Sequence, residues 1–416
     1  MTKRIEIEQK FFCSDNIRLE KLIVANQFQL QSCQIEQDEY FTDIDSKFIK
    51  NRTCLRLRMT DNLNLELTFK GKSSDFKSFY AKKESNISVV SKEYDDLLLM
   101  LFSLGYYSYS LVKKKRKVYS KKSDNLIYNI MLDEIENIGS FVEFELLSNG
   151  DYDERYLLNE LNIFVRKFDK LQLGEANLPY RDFVAERLFK DILPGGKLKV
   201  ILLDLDGTLI NSEQLFFKSF KKILEKDYQV AITLADYEDH ELKKNANLIT
   251  YLKNIGKLDS SADNAEIMEK VYRDYEQGFI NLISSEEVLL NFNLLKKLRK
   301  KDVKLGLVTT CKKHFLKILF DELKLADVFD CVISREDVQQ LKPAPDAYLK
   351  AMDFLQTSSE NVIAIEDSER GISSALKSGI KTIQIHEYTQ NKKPRNGVVF
   401  VDRVSRVLFT LINFLK

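Results

Sequence analysis

The sequence predicts two domains of different fold class on one chain: an antiparallel barrel with a polar interior, followed by an α/β domain. Up to about Glu186 the pattern is mostly short strands with charge on one face. From Lys199 onward, apolar strands alternate with helical stretches, as in a parallel α/β sheet. With 416 residues, each half is long enough to bury its own core.

The composition is that of a globular protein, with 44% hydrophobic and 31% charged residues. The net charge of +1 gives no support for a nucleic-acid partner. Five scattered cysteines show no metal-ligand spacing, which favours a reducing compartment, and no apolar leader opens the sequence. We therefore expect a cytoplasmic protein that contacts no membrane.

Two apolar stretches need a separate interpretation. The uncharged run from Leu97 to Val112 is too short to span a bilayer, and Gly105 divides it. It predicts a helix, a glycine stop and a strand. The C-terminal stretch 407–416 is also short and predicts a helix that docks on the second domain.

Pro-Gly-Gly at residues 194–196 cannot continue a regular element, so it marks the best boundary between the domains. We therefore expect a first domain at 1–190, a linker at 191–198 and a second domain at 199–416.

Charged residues of the first half recur at every second position. Because strand side chains alternate between faces, such residues share one face. This holds for the opening strand with Glu6, Glu8 and Lys10, and for four later stretches that carry Arg56 and Arg58, Glu66 and Lys70, Lys114 and Arg116, and Glu143 and Glu145. A sheet with one wet face would also alternate, but doublets of fixed sign on five strands favour a closed barrel with a polar interior. Its cations would bind phosphate oxygens, and its carboxylates would hold Mg²⁺ or Mn²⁺.

These motifs resemble the CYTH, or triphosphate tunnel metalloenzyme, superfamily in family order over roughly the first 185 residues. The resemblance is carried by Glu6-Ile-Glu-Gln-Lys10, Gln37-Asp-Glu-Tyr-Phe41, Leu55-Arg-Leu-Arg58, Leu67-Thr-Phe-Lys-Gly71, Lys114-Lys-Arg116, residues 132–145 and Pro179-Tyr-Arg-Asp-Phe183. It implies an eight-stranded antiparallel tunnel that acts on triphosphate compounds with a divalent metal.

The resemblance also implies roles for individual residues. The carboxylates on the metal side would be Glu6, Glu8, Asp133, Glu143 and Glu145. The cations that grip the triphosphate would be Lys10, Arg56, Arg58, Lys70, Lys114 and Arg116. Family members often carry Arg-x-Glu-x-Glu where this chain has Lys82-Lys-Glu-Ser-Asn86, so the number of metal ions stays open.

The second half begins with an apolar strand at 200–203 that leads into Asp204, Asp206 and Gly207. An aspartate at the carboxyl end of such a strand can attack phosphorus, and a second one can act as acid and base. Further candidates occur in order: Thr309 ends a later strand, Lys342 precedes Pro343-Ala-Pro-Asp346, and the pair Glu366-Asp367 ends another strand. Together they predict a site for phosphoryl transfer.

The set resembles the haloacid dehalogenase (HAD) superfamily over roughly 198–390. The resemblance implies Asp204 as nucleophile, Asp206 as acid and base, and Thr309 and Lys342 as phosphoryl ligands. It implies Mg²⁺ held by Asp204, the Asp206 carbonyl and Asp367, with Glu366 as a ligand or beside one. The helical stretch from about 212 to 288 corresponds to a cap over this Rossmann-like domain.

The sequence as a whole predicts a bifunctional metal-dependent phosphohydrolase for small phosphorylated substrates, one a triphosphate and one a phosphomonoester. Two alternatives stay open for the first half. It could be a class IV-type adenylyl cyclase, or a binding module that regulates the phosphatase. Neither the substrates nor the oligomeric state can be named from the sequence.

Overall fold

The computed structural model describes residues 5–71, 84–148, 152–171, 173–243, 248–388 and 393–416. The chain forms two compact units, Met1–Lys190 and Asp191–Lys416. Within the described ranges, no helix combines the length and apolarity needed to cross a membrane.

The first unit is built mainly of strands. They are β1 (Ile5–Phe12), β2 (Gln29–Asp43), β3 (Cys54–Thr60), β4 (Asn64–Lys70), β5 (Glu84–Val90), β6 (Tyr106–Ser123), β7 (Leu126–Ile135), β8 (Gly139–Ser148) and β9 (Gly174–Glu175). The helices are α1 (Asn16–Ala25), α2 (Lys47–Lys50), α3 (Tyr94–Ser103), α4 (Glu154–Arg166) and α5 (Tyr180–Ile192).

All nine strands belong to one sheet in the order β5-β4-β3-β2-β6-β7-β8-β1-β9, and every neighbouring pair is antiparallel. Eight strands are long, as expected, and the ninth has two residues. One cavity is lined by residues from each of β1 to β8, so the sheet curves around it. The predicted antiparallel tunnel is confirmed.

Apolar side chains pack on the outer face of this sheet, because alternation leaves the charged positions for the interior. Helix α4 and the strands β1 and β8 share a core that includes Phe11, Phe144 and Phe164. Helix α3 covers β3 and β4 through Leu98 and Leu101. The predicted helix, glycine stop and strand are also confirmed here, since Gly105, at φ +80°, separates α3 from β6.

The second unit alternates strands and helices. Its strands are β10 (Val200–Leu203), β11 (Lys304–Val308), β12 (Cys331–Ile333), β13 (Val362–Glu366), β14 (Lys381–Ile385) and β15 (Val399–Val401). Its helices are α6 (Ser212–Tyr228), α7 (Leu234–Tyr237), α8 (Leu248–Asn254), α9 (Asn264–Ile283), α10 (Glu286–Leu298), α11 (Lys313–Leu323), α12 (Asp346–Phe354), α13 (Glu369–Lys377) and α14 (Val404–Phe414), with a π-helix at Glu238–Lys243.

These six strands form a parallel sheet in the order β12-β11-β10-β13-β14-β15, which confirms the predicted Rossmann-like class. Strand β10 is fully buried between β11 and β13. The chain order changes direction at β10, and ligands of open α/β sheets bind outside the carboxyl ends at such a point.

Helices α6 to α9 have a hydrophobic core of their own, which includes Phe220, Leu224, Ile249, Ile267 and Val271. Helix α9 ends at Ile283, and α10 packs against α14 instead. The helical insertion between β10 and β11 therefore forms a separate cap layer. Helix α14 buries Val404, Val407, Leu408 and Leu411, as expected for a docking helix.

The stretch predicted as a linker packs on the second unit. Lys381 Nζ donates a hydrogen bond to the Leu193 carbonyl at 2.6 Å, and the Gly196 amide donates to the Glu360 carbonyl at 2.7 Å. A side chain at residue 196 would collide with that carbonyl. Residues 193–196 are therefore held in place by hydrogen bonds.

Candidate functional sites

The first candidate site is the cavity inside the antiparallel sheet, with a volume of about 290 Å³. Its predicted lining residues are Glu6, Glu8, Lys10, Arg56, Arg58, Lys70, Lys114, Arg116, Glu143 and Glu145. Antiparallel pairing places Lys10 opposite Glu143 and Glu8 opposite Glu145 on β1 and β8. The alternation of the sequence therefore becomes a charged wall, in which Lys10 faces an acid and the two acids Glu8 and Glu145 face each other.

Three of the predicted metal-side carboxylates come together. Oxygens of Glu6, Glu8 and Glu145 lie within 4.8 Å of one another. Burial, followed by repulsion from Glu143, raises the pKa of Glu8 to about 8, and burial also raises the pKa of Glu145. A cluster of this kind needs a proton or a cation, and its oxygens suit a hard divalent ion. These three residues therefore fit a metal site.

Asp133 and Glu143 have other partners. Arg116 donates to both oxygens of Asp133, at 2.7 and 2.5 Å, and to Glu143 at 2.7 Å. Tyr180 donates to Asp133 at 2.8 Å. Although burial opposes it, the nearby Lys10 and Arg116 lower the pKa of Glu143. Both carboxylates thus neutralise Arg116, and Asp133 lies outside the set that lines the cavity.

Two buried acids for which the sequence predicted no role form ion pairs with cations on β3 and β6. Glu36 and Asp38 on β2 accept ion pairs from Arg58 at 3.1 and 2.6 Å and from Lys114 at 3.0 and 3.2 Å. Although burial opposes it, these cations lower the pKa of Glu36 to about 2, and Asp38 shifts in the same direction. Their spacing of two residues on a strand was the available signal.

The remaining cations reach the same cavity. Arg56 donates to Thr68 Oγ1 at 3.1 Å. The Lys10 ammonium lies 3.9 Å from the centre of the Tyr180 ring. The positive charge of Lys70 is close enough to Glu8 to offset part of the rise in the Glu8 pKa that burial causes. All six predicted cations therefore line one cavity, although their role in binding phosphate stays a prediction.

The departure from the family pattern falls partly outside the described residues, which exclude Lys82 and Lys83. Asn86 on β5 lines the cavity and brings an amide where many family members have a carboxylate. Tyr180 and Arg181 also line it, at the start of α5. Both lie in the quoted Pro179–Phe183 motif, but nothing in its spacing indicated that they face the cavity.

The second candidate site lies at the carboxyl ends of β10, β11 and β13. Asp204 directly follows β10, and its amide donates to the Ile365 carbonyl of β13 at 3.0 Å. Gly207 turns the chain at φ +86°, and a Cβ there would clash with Asp367. A glycine is needed at this point, because the backbone passes directly over the carboxylate.

A single buried lysine joins the two sides of this site. Lys342 Nζ donates to Asp204 Oδ1 and to Glu366 Oε1, both at 2.6 Å, and to the Val308 carbonyl at 2.8 Å. The hydroxyl of Tyr348 donates to Glu366 Oε1 at 2.6 Å, and nothing in the sequence had indicated a role for this residue. Burial and the neighbouring Glu366 raise the pKa of Asp204.

The carboxylate of Asp206 is held by two hydroxyl groups. Ser212, at the start of α6, donates to Oδ1, and Thr309 donates to Oδ2 at 3.1 Å. Burial raises the pKa of Asp206, and these two hydrogen bonds oppose the change. A carboxyl group with a raised pKa can hold a proton at a higher pH than usual, as a general acid requires.

Asp204, Glu366 and Asp367 form an acidic cluster with oxygens within 4.8 Å of one another. Oxygen Oε2 of Glu366 is buried and has no hydrogen-bond partner among the described residues. A buried carboxylate oxygen without a partner is costly unless a cation or donor satisfies it. These residues therefore fit a divalent metal. The part played by the Asp206 carbonyl stays a prediction.

Each half of the chain matches a known family. Residues 4–177 match the CYTH domain family, and residues 201–385 match the family of haloacid dehalogenase-like hydrolases. Pyrophosphatase PpaX of Bacillus cereus strain G9842 is 26% identical over 225 residues, which are 52% of this chain and 98% of that protein.

Solved structures resemble one half each. The PH1819 protein from Pyrococcus horikoshii OT3 has 24% identity and a TM-score of 0.37, over 44% of this chain and 99% of that one. CbbY from Rhodobacter sphaeroides, in complex with phosphate, has 20% identity and a TM-score of 0.43, over 51% and 99%. The two family matches confirm the resemblances seen in the motifs: a CYTH domain at residues 4–177 is followed by a haloacid dehalogenase-like hydrolase domain at residues 201–385.

Proposed function

We propose that this protein is a bifunctional metal-dependent phosphohydrolase. The CYTH domain would hydrolyse a triphosphate compound, and the HAD-like domain would hydrolyse a phosphomonoester or a diphosphate through an aspartyl-phosphate. The observation that carries the proposal is the pair of acidic clusters, Glu6-Glu8-Glu145 and Asp204-Glu366-Asp367, each beside cations able to bind phosphate. Two complete phosphate sites on one chain favour two reactions.

In the HAD-like domain, an Asp204 oxygen would attack phosphorus and the bond to the leaving oxygen would break. Asp206 would give its proton to the leaving group and later take one from the attacking water. Lys342 lies 2.6 Å from Asp204, where its charge would stabilise the phosphoryl oxygens. The relatives called pyrophosphatase support diphosphate as one substrate of this domain.

In the CYTH domain, Lys10, Arg56 and Lys70 would contact the phosphate chain with charge-assisted hydrogen bonds. Arg58 and Lys114 would contribute charge while Glu36 and Asp38 fix their positions. In either domain, bound Mg²⁺, or Mn²⁺ in the tunnel, would supply charge neutralisation and a more acidic water. No described contact favours the cyclase or the purely regulatory alternative, and both are outcomes of the tests below.

The test is a phosphate-release screen with the full-length protein and Mg²⁺. Triphosphate substrates probe the first domain, and p-nitrophenyl phosphate with diphosphate probes the second. We expect the combined change Glu6→Gln and Glu8→Gln to abolish triphosphate turnover, and Asp204→Asn to abolish the turnover of the second set. A chelator should silence both, and added Mg²⁺ should restore them. Full triphosphate turnover in chelator would exclude the tunnel metal.

Two further outcomes would replace part of the proposal. Formation of cyclic AMP from ATP would make the first domain a cyclase. A phosphatase rate that depends on added triphosphate, with no triphosphate turnover, would make it a regulatory module. We propose that the domains act independently, so the Glu6 and Glu8 changes should leave the rate of Asp204-dependent hydrolysis unaffected.

A further inference from the structure

The wall of the tunnel indicates which triphosphate it accepts. Its volume of about 290 Å³ is at the lower end of the range for small-molecule sites. Most of the described lining side chains are charged. Two aromatic rings, Tyr40 and Tyr180, could in principle stack on a nucleobase or another aromatic group.

Cations of the wall lie over both rings. Lys10 lies 3.9 Å and Lys114 5.3 Å from the centre of the Tyr180 ring, whose hydroxyl donates to Asp133. The Arg181 guanidinium lies 5.6 Å from the centre of the Tyr40 ring. The described wall therefore offers mainly charge for phosphates, and its two aromatic rings already interact with cations of the wall itself. A ligand made only of phosphate groups fits it best.

Hydrolysis of such a ligand has a defined product. Inorganic triphosphate and one water give diphosphate and orthophosphate when one terminal P–O–P bridge breaks. The product still contains a phosphoanhydride bond. Relatives of the second domain that carry the name pyrophosphatase align with this chain over nearly their whole length. The product of the first domain thus matches the substrate in the name of those relatives.

We propose that the two domains catalyse consecutive reactions, in which the CYTH domain releases diphosphate and the HAD-like domain hydrolyses it. The inference rests on the proposed function of both sites. An Asp204 oxygen attacks one phosphorus of diphosphate, the bond to the bridging oxygen breaks, and Asp206 gives its proton to the departing phosphate. Water then attacks the aspartyl-phosphate, Asp206 takes the proton, and Asp204 is restored. The sum is complete conversion of inorganic triphosphate into orthophosphate.

The experiment follows inorganic triphosphate by ³¹P NMR with the full-length protein and Mg²⁺. For the wild type we expect orthophosphate as the final product, with diphosphate only as a transient species. For Asp204→Asn we expect diphosphate and orthophosphate to accumulate in equal amounts. Asp353→Asn, an exposed change of the same chemistry on α12, should behave as the wild type.

The outcomes separate this inference from the proposed function. If the wild type accumulates diphosphate while it hydrolyses p-nitrophenyl phosphate, the consecutive scheme is wrong and the proposed phosphatase stands. If neither triphosphate nor p-nitrophenyl phosphate is hydrolysed, the proposed function itself is wrong. If ATP yields cyclic AMP faster than triphosphate yields diphosphate, inorganic triphosphate is not the source of the diphosphate that the HAD-like domain hydrolyses.

Discussion

The two candidate sites distribute their ionisable groups differently, although each contains an acidic cluster with raised pKa values. The charged residues that line the tunnel come mainly from six antiparallel strands, and its best-paired acids, Glu36, Asp38 and Glu143, have lowered pKa values because cations surround them. The HAD-like site concentrates them at the ends of three parallel strands. There the pKa values of Asp204 and Asp206 are raised, chiefly by burial.

This difference follows from sheet geometry. A curved antiparallel sheet has an inner face with many positions, so charges can be paired one against another across neighbouring strands. The carboxyl edge of a parallel sheet offers only a few positions, and here Lys342 serves both Asp204 and Glu366. We therefore expect the tunnel to tolerate the loss of one group better than the HAD-like site does.

The largest expected effect is that of Asp204→Asn, because this change removes the proposed nucleophile itself. The rate of phosphomonoester hydrolysis should fall by roughly four decades or more, as for other nucleophile deletions. The measurement is kcat with p-nitrophenyl phosphate, and Asp353→Asn serves as the exposed control. Activity above about a tenth of the wild type would contradict the assignment of Asp204 as the nucleophile.

In the tunnel, the largest effect of one substitution should be on folding. Arg116→Met leaves the buried Asp133 without its cation and Glu143 with the nearby lysines only, and removal of one partner of a buried pair costs about 3–5 kcal/mol. The measurement is the free energy of unfolding in urea. Arg273→Met is the control, because its ion pair with Glu269 is exposed on both sides. Equal effects of the two changes would contradict the importance of pairing.

Acid should weaken the tunnel through Glu36. Its pKa is about 2 in the folded protein against an ordinary value of 4.5, so the ionised form stabilises the fold above that ordinary value. This contribution is lost as the pH falls through the window from about 4.5 to about 2, and it is on the order of 3 kcal/mol.

Glu36→Gln should therefore lower stability at pH 7 and much less at pH 3. Unfolding in urea at both pH values measures the difference. Glu322→Gln, an exposed change on α11, should show no such dependence. A loss of equal size at both pH values would show that the shape of the side chain, and not its charge, matters.

A smaller effect is expected for a single cation of the tunnel. Lys10→Met removes one charge-assisted contact, worth about 1.5–3 kcal/mol, so kcat/KM for triphosphate should fall by roughly 10- to 150-fold. Lys92→Met provides an exposed control. If Lys10→Met lowered triphosphate turnover by as many decades as Asp204→Asn lowers phosphomonoester hydrolysis, the tunnel would depend on single residues as strongly as the HAD-like site does. That result would contradict the contrast between the two sites.

The smallest effect should come from Tyr348→Phe, which removes one hydrogen bond to Glu366. We expect the affinity for Mn²⁺, measured by calorimetric titration, to weaken by roughly tenfold, in line with the loss of other groups that orient metal ligands. The melting temperature should change little. An unchanged affinity would show that Lys342 alone orients Glu366.

Local patterns predicted much of both sites. Strand alternation placed Glu6, Glu8, Arg56 and Lys114 on one interior, and the order of Asp204, Thr309, Lys342 and Glu366-Asp367 along the chain predicted one shared site. Alternation gives a face but not a partner, so it could not separate Glu145, which joins the acidic cluster, from Asp133. That distinction depends on register, since Arg116 lies directly opposite Asp133 on β6 and β7.

The turn between β6 and β7 is a sequence signal for this register. Only two residues, Asp124 and Asn125, lie between β6 and β7, and the length of a hairpin loop fixes the pairing of its strands. No comparable signal exists for Tyr348 or Ser212. Tyr348 lies on α12, 18 residues before Glu366, and Ser212 begins α6, six residues after Asp206, so both contacts depend on how these helices pack.

Two glycines of the second domain have a genetic consequence. A Cβ at Gly207 would clash with Asp367, and one at Gly371 would clash with the carboxylate of Glu366. Every amino acid other than glycine has a Cβ, so each missense allele at these two codons would displace a carboxylate of the acidic cluster. In a population of this gene, we expect the two codons to carry synonymous changes and almost no others.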